Sequence, residues 1–163
     1  MRKLLVIGAG GHGHVVAESA QALGFEVSFL DDNSPEAIGK IEELGHLLGE
    51  YDSFFIAIGN NSLRKEITEN AKKLGGKIAT LIHPTAYVSP TVSIGPGTIV
   101  APKAVVNTRS KIGEGCILSV GAIVDHDVVV EPFAHINAGS ICKAGSRIKA
   151  GRKLEAGEVV CGY

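Results

Sequence analysis

His126 stands between two carboxylates in the hexad Val124-Asp125-His126-Asp127-Val128-Val129. A carboxylate beside an imidazole stabilises the protonated ring, so such a histidine is suited to take a proton from a substrate as general base. A solvated surface histidine is the plainer alternative. His135 follows nine residues later and could face the same groove between subunits from a neighbouring chain, with a solvated histidine again the plainer alternative. A second cluster is Gly8-Ala9-Gly10-Gly11-His12-Gly13, which satisfies G-x-G-x-x-G, with Asp31 about 20 residues further on. Glycines there let backbone N–H groups approach a phosphate at a helix N-terminus, and an acidic residue can accept from a ribose or sugar hydroxyl. A nucleotide or nucleotide-sugar fits this chemistry, although a purely structural glycine turn reads the same way. The three cysteines, Cys116, Cys142 and Cys161, lie far apart, and no pair among them, His126 and His135 has the short C-x-x-C or H-x-x-x-H spacing of a zinc site. No metal is expected. His14, His46 and His83 have no partner identifiable from sequence.

These groups need elements to position them. Leu4–Ile7 is an apolar run, followed by the glycines and a helical pattern through Val15, Val16, Ala20 and Leu23 that stops at Gly24. Glu26–Leu30 reads as a second strand ending at Asp31-Asp32-Asn33-Ser34-Pro35. Phe54–Ile58 reads as a third, leading into a helix capped by Asn61 or Ser62 and ending near Gly75, and Ile78–Ile82 as a fourth. Residues 1–81 are thus expected to form an α/β Rossmann-like domain. Because about 80 residues supply only half of a two-fold dinucleotide fold, with no separate catalytic α/β domain after it, a redox dinucleotide fits poorly.

From Ile82 a six-residue register takes over: Ile82, Val88, Ile94, Val100, Val106, Ile112, Leu118, Val124, Val130, Ile136, Cys142, Ile148, Leu154 and Val160 are all apolar. Four residues after each, the chain mostly places a compact side chain, as at Ala86, Thr98, Ala104, Ser110, Ala122 and Ser140. Arg152 and Glu158 break that rule and suggest a frayed or protected last coil. Three short strands with tight corners make one triangular coil of about 18 residues, so residues 82–163 are expected to form a left-handed parallel β-helix of four to five coils. Gly95, Gly97, Gly113, Gly115, Gly121, Gly139, Gly145 and Gly151 suit corners that need positive φ. Such slender coils commonly associate as trimers, with ligand grooves between subunits. Cys116 and Cys142 fall inside the repeat, where a buried thiol is a poor nucleophile, which disfavours an acyl-enzyme route.

Composition narrows the partners. Sixteen Lys plus Arg against seventeen Asp plus Glu leave a net charge of -1, so no positive surplus attracts nucleic acid or an anionic membrane. No stretch approaches the roughly 20 apolar residues of a membrane span. The opening MRKLLVIGAGGHGHVV reads as a first strand rather than a signal sequence, and the odd cysteine count points to a reducing cytoplasm.

Taken together, Gly8-Ala9-Gly10-Gly11-His12-Gly13, Phe29-Leu30-Asp31-Asp32, Phe55-Ile56-Ala57-Ile58-Gly59-Asn60-Asn61 with Arg64, Leu81-Ile82-His83, and Asp125-His126-Asp127 followed by His135 resemble the bacterial sugar O- and N-acetyltransferases that couple a small Rossmann-like domain to a left-handed β-helix. The resemblance covers essentially the whole chain and is strongest to enzymes that acetylate the 4-amino group of UDP-linked amino sugars. It implies that Gly10, Gly11, His12, Asp31, Asp32 and Gly59 hold the nucleotide-sugar. It implies that His126 is the base, with Asp127 increasing its basicity, and that His135 and the backbone around Ala144 contact acetyl-CoA, in a homotrimer. A sialic acid type O-acetyltransferase and a non-catalytic nucleotide-sugar binder share the same features. Relatives usually continue to a Gly-x-Pro-Ala-Lys segment, whereas this chain ends at Val160-Cys161-Gly162-Tyr163, so either acetyl-CoA is held by fewer contacts or acetyl transfer is weak or absent.

Overall fold

The computed structural model describes residues 1–163 and divides into two compact units, Met1–Ala79 and Thr80–Tyr163. In the first, β1 (Arg2–Ile7) is the middle strand of a parallel sheet, flanked by β2 (Phe25–Leu30) and β3 (Ser53–Ile56). Ile7 lies level with Leu30 on one side and Ile56 on the other. Leu4, Leu5, Val6 and Ile7 are all buried, as a continuous apolar run must be when both faces of a parallel strand are covered. The connecting helices are α1 (Gly11–Ala22), the short α2 (Leu44–Leu47) and α3 (Asn61–Lys73). Leu5, Ile7, Leu30, Leu44, Phe54, Ile56 and Ala71 share one core.

Two local expectations are corrected. The cap of α3 is Asn60, not Asn61 or Ser62: its backbone is extended and its side-chain oxygen accepts from the Leu63 amide at 2.9 Å. Three successive residues could all cap a helix, and only the backbone conformation selects one. The apolar run Ile78–Ile82 is not a fourth strand of the sheet. Ile78 makes a single parallel bridge to Phe54, while Leu81–Ile82 is the first strand of the second unit.

That second unit is the left-handed parallel β-helix. Two-residue strands stack at intervals of 18 residues into three parallel faces. The first face carries Leu81–Ile82, Ile99–Val100, Ile117–Leu118 and His135–Ile136. The second carries Tyr87–Val88, Val105–Val106, Ile123–Val124, Ile141–Cys142 and Val159–Val160. The third carries Ser93–Ile94, Lys111–Ile112, Val129–Val130 and Arg147–Ile148. Val100, Val106, Ile112, Leu118, Val124, Val130, Ile136, Cys142, Ile148 and Leu154 of the six-residue register form the interior core. The compact position four residues on is buried as well, and its hydroxyls are satisfied in a repeating way. Thr98, Ser110 and Ser140 each donate to the carbonyl 15 residues later, those of Gly113, Asp125 and Glu155, at 2.8, 2.6 and 2.9 Å. At the end of the coil, Arg152 and Glu158 pair with each other, and Glu158 also accepts from the Glu155 amide. No helix is long and apolar enough to cross a membrane.

The glycines divide into two kinds. From Gly97 to Gly157 every sixth residue has φ between 58° and 72°, and seven of these eleven positions are glycine. Gly95 and Gly113 are not among them, contrary to expectation. A Cβ on Gly95 would stand 2.5 Å from the Glu114 nitrogen, and one on Gly113 would stand 2.6 Å from the Pro132 nitrogen. These two are glycine because the next coil passes against them, not because of their φ.

Candidate active site

His126 lies at the corner between the second and third faces, in the loop after Ile123–Val124. Ser110 braces this corner from the previous coil: its buried hydroxyl donates to the Asp125 carbonyl and accepts from the Val128 amide at 3.1 Å, so both sides of His126 are tied to one atom. Asp125 turns back, its Oδ1 accepting from the His126 amide at 2.8 Å and from Asn107 Nδ2 at 3.3 Å. It orders the loop rather than the ring. Asp127 Oδ2 lies 2.6 Å from His126 Nδ1.

Arg109, one coil earlier, meets Asp127 through Nε to Oδ1 and Nη2 to Oδ2, both at 2.7 Å. The hydrogen bonds from Arg109, and then that from His126, hold the Asp127 carboxyl far below the usual carboxylate range. An ionised carboxylate only accepts, so Nδ1 carries the hydrogen, and in the neutral ring the lone pair is on Nε2. The His126 side chain retains 39% of its exposure. A rigidly held, partly open imidazole with a bare Nε2 is equipped to accept a proton from a bound substrate.

Arg109 was not read from the sequence. Its signal was the coil period itself: residues 18 apart stack, and 109 plus one coil is 127. The same rule places Ala144 one coil beyond His126, and the His126 carbonyl accepts from the Gly145 amide at 3.1 Å. Gly162 packs against the Ala144 carbonyl, and the Tyr163 ring lies against Gly145.

His135 belongs to the first face, which in a triangular coil lies opposite the corner that carries His126. One chain therefore does not bring the two histidines together. His135 is also neither solvated nor open to a groove in this chain: it is 9% exposed, with Nε2 2.9 Å from Ser119 Oγ. Cys116 and Cys142 are buried, and burial pushes the Cys142 thiol up to about 12. No group of three His, Cys, Asp or Glu side chains is placed to hold a metal ion.

In the first unit, the glycine motif splits by role. Gly8, at φ 104°, could not carry a Cβ without meeting the Ala57 carbonyl, and Gly13 packs against the Gly8 carbonyl. Those two let the strand, turn and helix close on one another. Gly10 caps α1 and Gly11 begins it, and above both, as above Gly59, the space is open. The first-turn amides of a helix have no intrahelical acceptor and suit an anionic group.

Asp31 faces inward on this turn. Its Oδ2 accepts from the Ala9 amide at 2.8 Å and its Oδ1 from Asn33 and Ser34 at 2.8 and 3.0 Å. These backbone donors, that of Ala9 first, lower its pKa. Asp32 is exposed and its Oδ1 accepts from the Ile41 amide at 3.0 Å. Arg64, only 1% exposed, donates to the Ile58 carbonyl at 2.9 Å and to Asn61 Oδ1 at 2.6 Å, which fixes the loop around Gly59. His12 is held neutral, its pKa lowered to about 4 by burial and then by the Arg64 charge. Its Nε2 is shielded and meets no protein partner. An orphaned ring nitrogen beside open glycines and first-turn amides is a fit for a polar ligand. His14, left unpartnered by sequence, lies 3.7 Å from Glu36 and tilts against Phe29, and His83 bonds Thr85.

Residues 3–71 match the family model of the PglD N-terminal domain. Among solved structures, the acetyltransferase domain of PglB from Neisseria gonorrhoeae FA1090, in complex with acetyl coenzyme A, is 44% identical with a TM-score of 0.92. The match covers 97% of this chain and 81% of that one. A mutant of perosamine N-acetyltransferase from Caulobacter crescentus, in complex with CoA and GDP-perosamine, is 30% identical with a TM-score of 0.91, over 99% of this chain and 90% of that one. The UDP-N-acetylbacillosamine N-acetyltransferase of Bacillus subtilis (strain 168) is 34% identical over 101 residues, which is 55% of this chain and about half, 46%, of that enzyme. Likeness of this degree, running through both units and most of the length of two solved acetyltransferases, shows that the chain belongs to the sugar N-acetyltransferase family.

Proposed function

We propose that this protein transfers the acetyl group of acetyl-CoA to the amino group of a UDP-linked 4-amino-sugar, as a cytoplasmic step in bacterial glycan or polysaccharide biosynthesis. The observation that carries the reading is the His126–Asp127 pair, clamped between coils with Nε2 left bare. His126 Nε2 takes the proton of the sugar amine as its nitrogen forms the C–N bond to the acetyl carbon. The thioester C–S bond breaks, and the same nitrogen returns the proton to the departing sulfur. In this reading transfer is direct, with Cys116 and Cys142 buried away from the reacting groups. Gly10, Gly11, His12, Asp31, Asp32 and Gly59 hold the nucleotide-sugar: amides of the α1 start take the diphosphate, and His12 Nε2 is a polar group without a protein partner. The name of the Bacillus subtilis relative supports UDP as the nucleotide.

His135 and the backbone at Ala144 bind acetyl-CoA. Since His135 lies on the face opposite the His126 corner, one cofactor contacts both only if a neighbouring copy supplies one of them. A homotrimer does so, and the apolar ladder along the second face, Tyr87, Val105, Ile123, Ile141 and Val159, supports such an assembly.

The reading is tested by thiol release from acetyl-CoA, with a UDP-4-amino-sugar as acceptor and UDP-N-acetylglucosamine as control. Turnover is expected with the amine alone. His126→Ala should lower kcat by about 10²–10⁴-fold, the usual share of a general base, while UDP-sugar binding by calorimetry stays within a few-fold. Near-normal turnover in that variant would remove His126 from the mechanism.

A further inference from the structure

We propose that Arg109 is a positioning residue for the base, setting the ring tautomer of His126 through Asp127. The inference deepens the reading of His126 as general base and rests on it. Arg109 and Asp127 are two of the four non-glycine residues in the eleven-member corner series, each with φ 58°, a backbone region that disfavours side chains. A corner that needs no side chain is best filled by glycine, as seven of these positions are. Two strained positions stacked one coil apart, carrying opposite charges that meet in a two-pronged bridge, point to a use for the pair beyond the turn.

The geometry shows what that use is. Asp127 alone could present either oxygen to His126, or rotate away, since its side chain is 31% exposed. The planar guanidinium engages both oxygens at 2.7 Å and fixes the plane of the carboxylate. Oδ2 is then left at 2.6 Å from Nδ1. Arg109 is itself anchored, its amide donating to Thr91 Oγ1 at 2.9 Å, and that hydroxyl meets Thr108 Oγ1 at 2.8 Å. A column of Thr91, Arg109 and Asp127 on three consecutive coils therefore ends at the ring. With Asp127 so held, the Nδ1–H form is favoured and the lone pair stays on Nε2, where a base is needed. The ordinary alternative is an ion pair that clips two coils and has no bearing on the ring.

Arg109→Gly separates the two, because glycine suits this corner and the variant keeps the fold. Long-range proton–nitrogen spectra of the His126 ring are recorded for wild type and variant, alongside kcat and KM in the thiol-release assay. The expected result is a single Nδ1–H tautomer in wild type, a mixture of both tautomers in Arg109→Gly, and a kcat lower by about 10–100-fold, the scale of a misplaced catalytic group. Both KM values are expected to stay within about twofold, and Arg109→Lys to recover part of the loss. An unchanged tautomer in Arg109→Gly overturns the proposal, as does unchanged kcat with a lowered melting temperature. If wild type transfers no acetyl group, it is the acetyltransferase reading that fails, and the ring spectra still decide the role of Arg109.

Discussion

His12 occupies the first turn of α1 with its ring nitrogen shielded and the Arg64 guanidinium nearby, and both effects oppose protonation, burial more than charge. The consequence is a pH-dependent stability. Its folded-state pKa is about 4 against 6.5 in the unfolded chain. As pH falls below about 6.5 the unfolded state gains a proton that the folded state refuses, so stability is lost progressively down to about pH 4. The loss is on the order of 2–3 kcal/mol by linkage. Asp31 adds a separate loss below its unfolded value of 3.8, because its lowered pKa reflects backbone donors that bind only the ionised form. His12→Gln, which cannot charge, should flatten the decline between pH 6.5 and 4 and leave the steeper fall below it. Urea denaturation at pH 7, 5.5 and 4 reads this directly. An equal slope in both proteins would mean that the ring titrates freely. The resemblance had marked His12 as a ligand contact, but its neutrality was not legible, because Arg64 is 52 residues away and reaches it only through the turn after β3.

The coil is the element most fully written in the sequence, and also the one in which identical letters conceal different reasons. The period of six gave the interior apolar residues from Val100 to Ile148 and the compact buried position beside them from Ala104 to Ser146. It could not distinguish a glycine needed for its φ from one needed for its lack of a side chain, because both leave the same residue. Gly121, at φ 65°, has open space where a Cβ would go, whereas Gly113 faces Pro132 of the next coil at 2.6 Å. Gly121→Ala should therefore cost about 1–2 kcal/mol, the ordinary penalty of a left-handed residue with a side chain. Gly113→Ala forces two backbones apart and should cost more, lowering the melting temperature further than Gly121→Ala does. The reverse order would show that the coil spacing yields more easily than the corner. The hand-off between the units was misread for a related reason. Ile78–Ile82 is one apolar run, yet its first residue bridges to Phe54 and its last two open the coil, a division set by tertiary pairing and not by periodicity.

At the scale of the whole molecule, the outward positions of the three faces differ. On the third face they are Ser93, Lys111, Val129 and Arg147, mixed and partly charged. On the second they are Tyr87, Val105, Ile123, Ile141 and Val159, one apolar side chain on every coil. Tyr87, Ile123 and Val159 are exposed outright. A continuous apolar ridge along a rigid coil is a surface that monomers rarely leave to water, and copies of the same ridge gathered about one threefold axis cover it under closed symmetry. Association along it would also bring the His126 corner of one chain toward surfaces of another, as the proposed acetyl-CoA site calls for, since His126 and His135 lie apart within a chain. Replacing the central residue, Ile123→Arg, would place a charge in the middle of that contact without touching the interior, since the neighbouring Val124 is the one that points inward. Sedimentation equilibrium at micromolar concentration should give about three times the 16.9 kDa chain for wild type and a single chain for the variant. Val159→Arg, at the far end of the ridge, should weaken association less. Acetyl-CoA turnover should fall together with the trimer fraction as the Val159→Arg variant is diluted, because mass action couples the two. A wild-type monomer with full activity would place the whole acetyl-CoA site on one chain and leave His135 outside it.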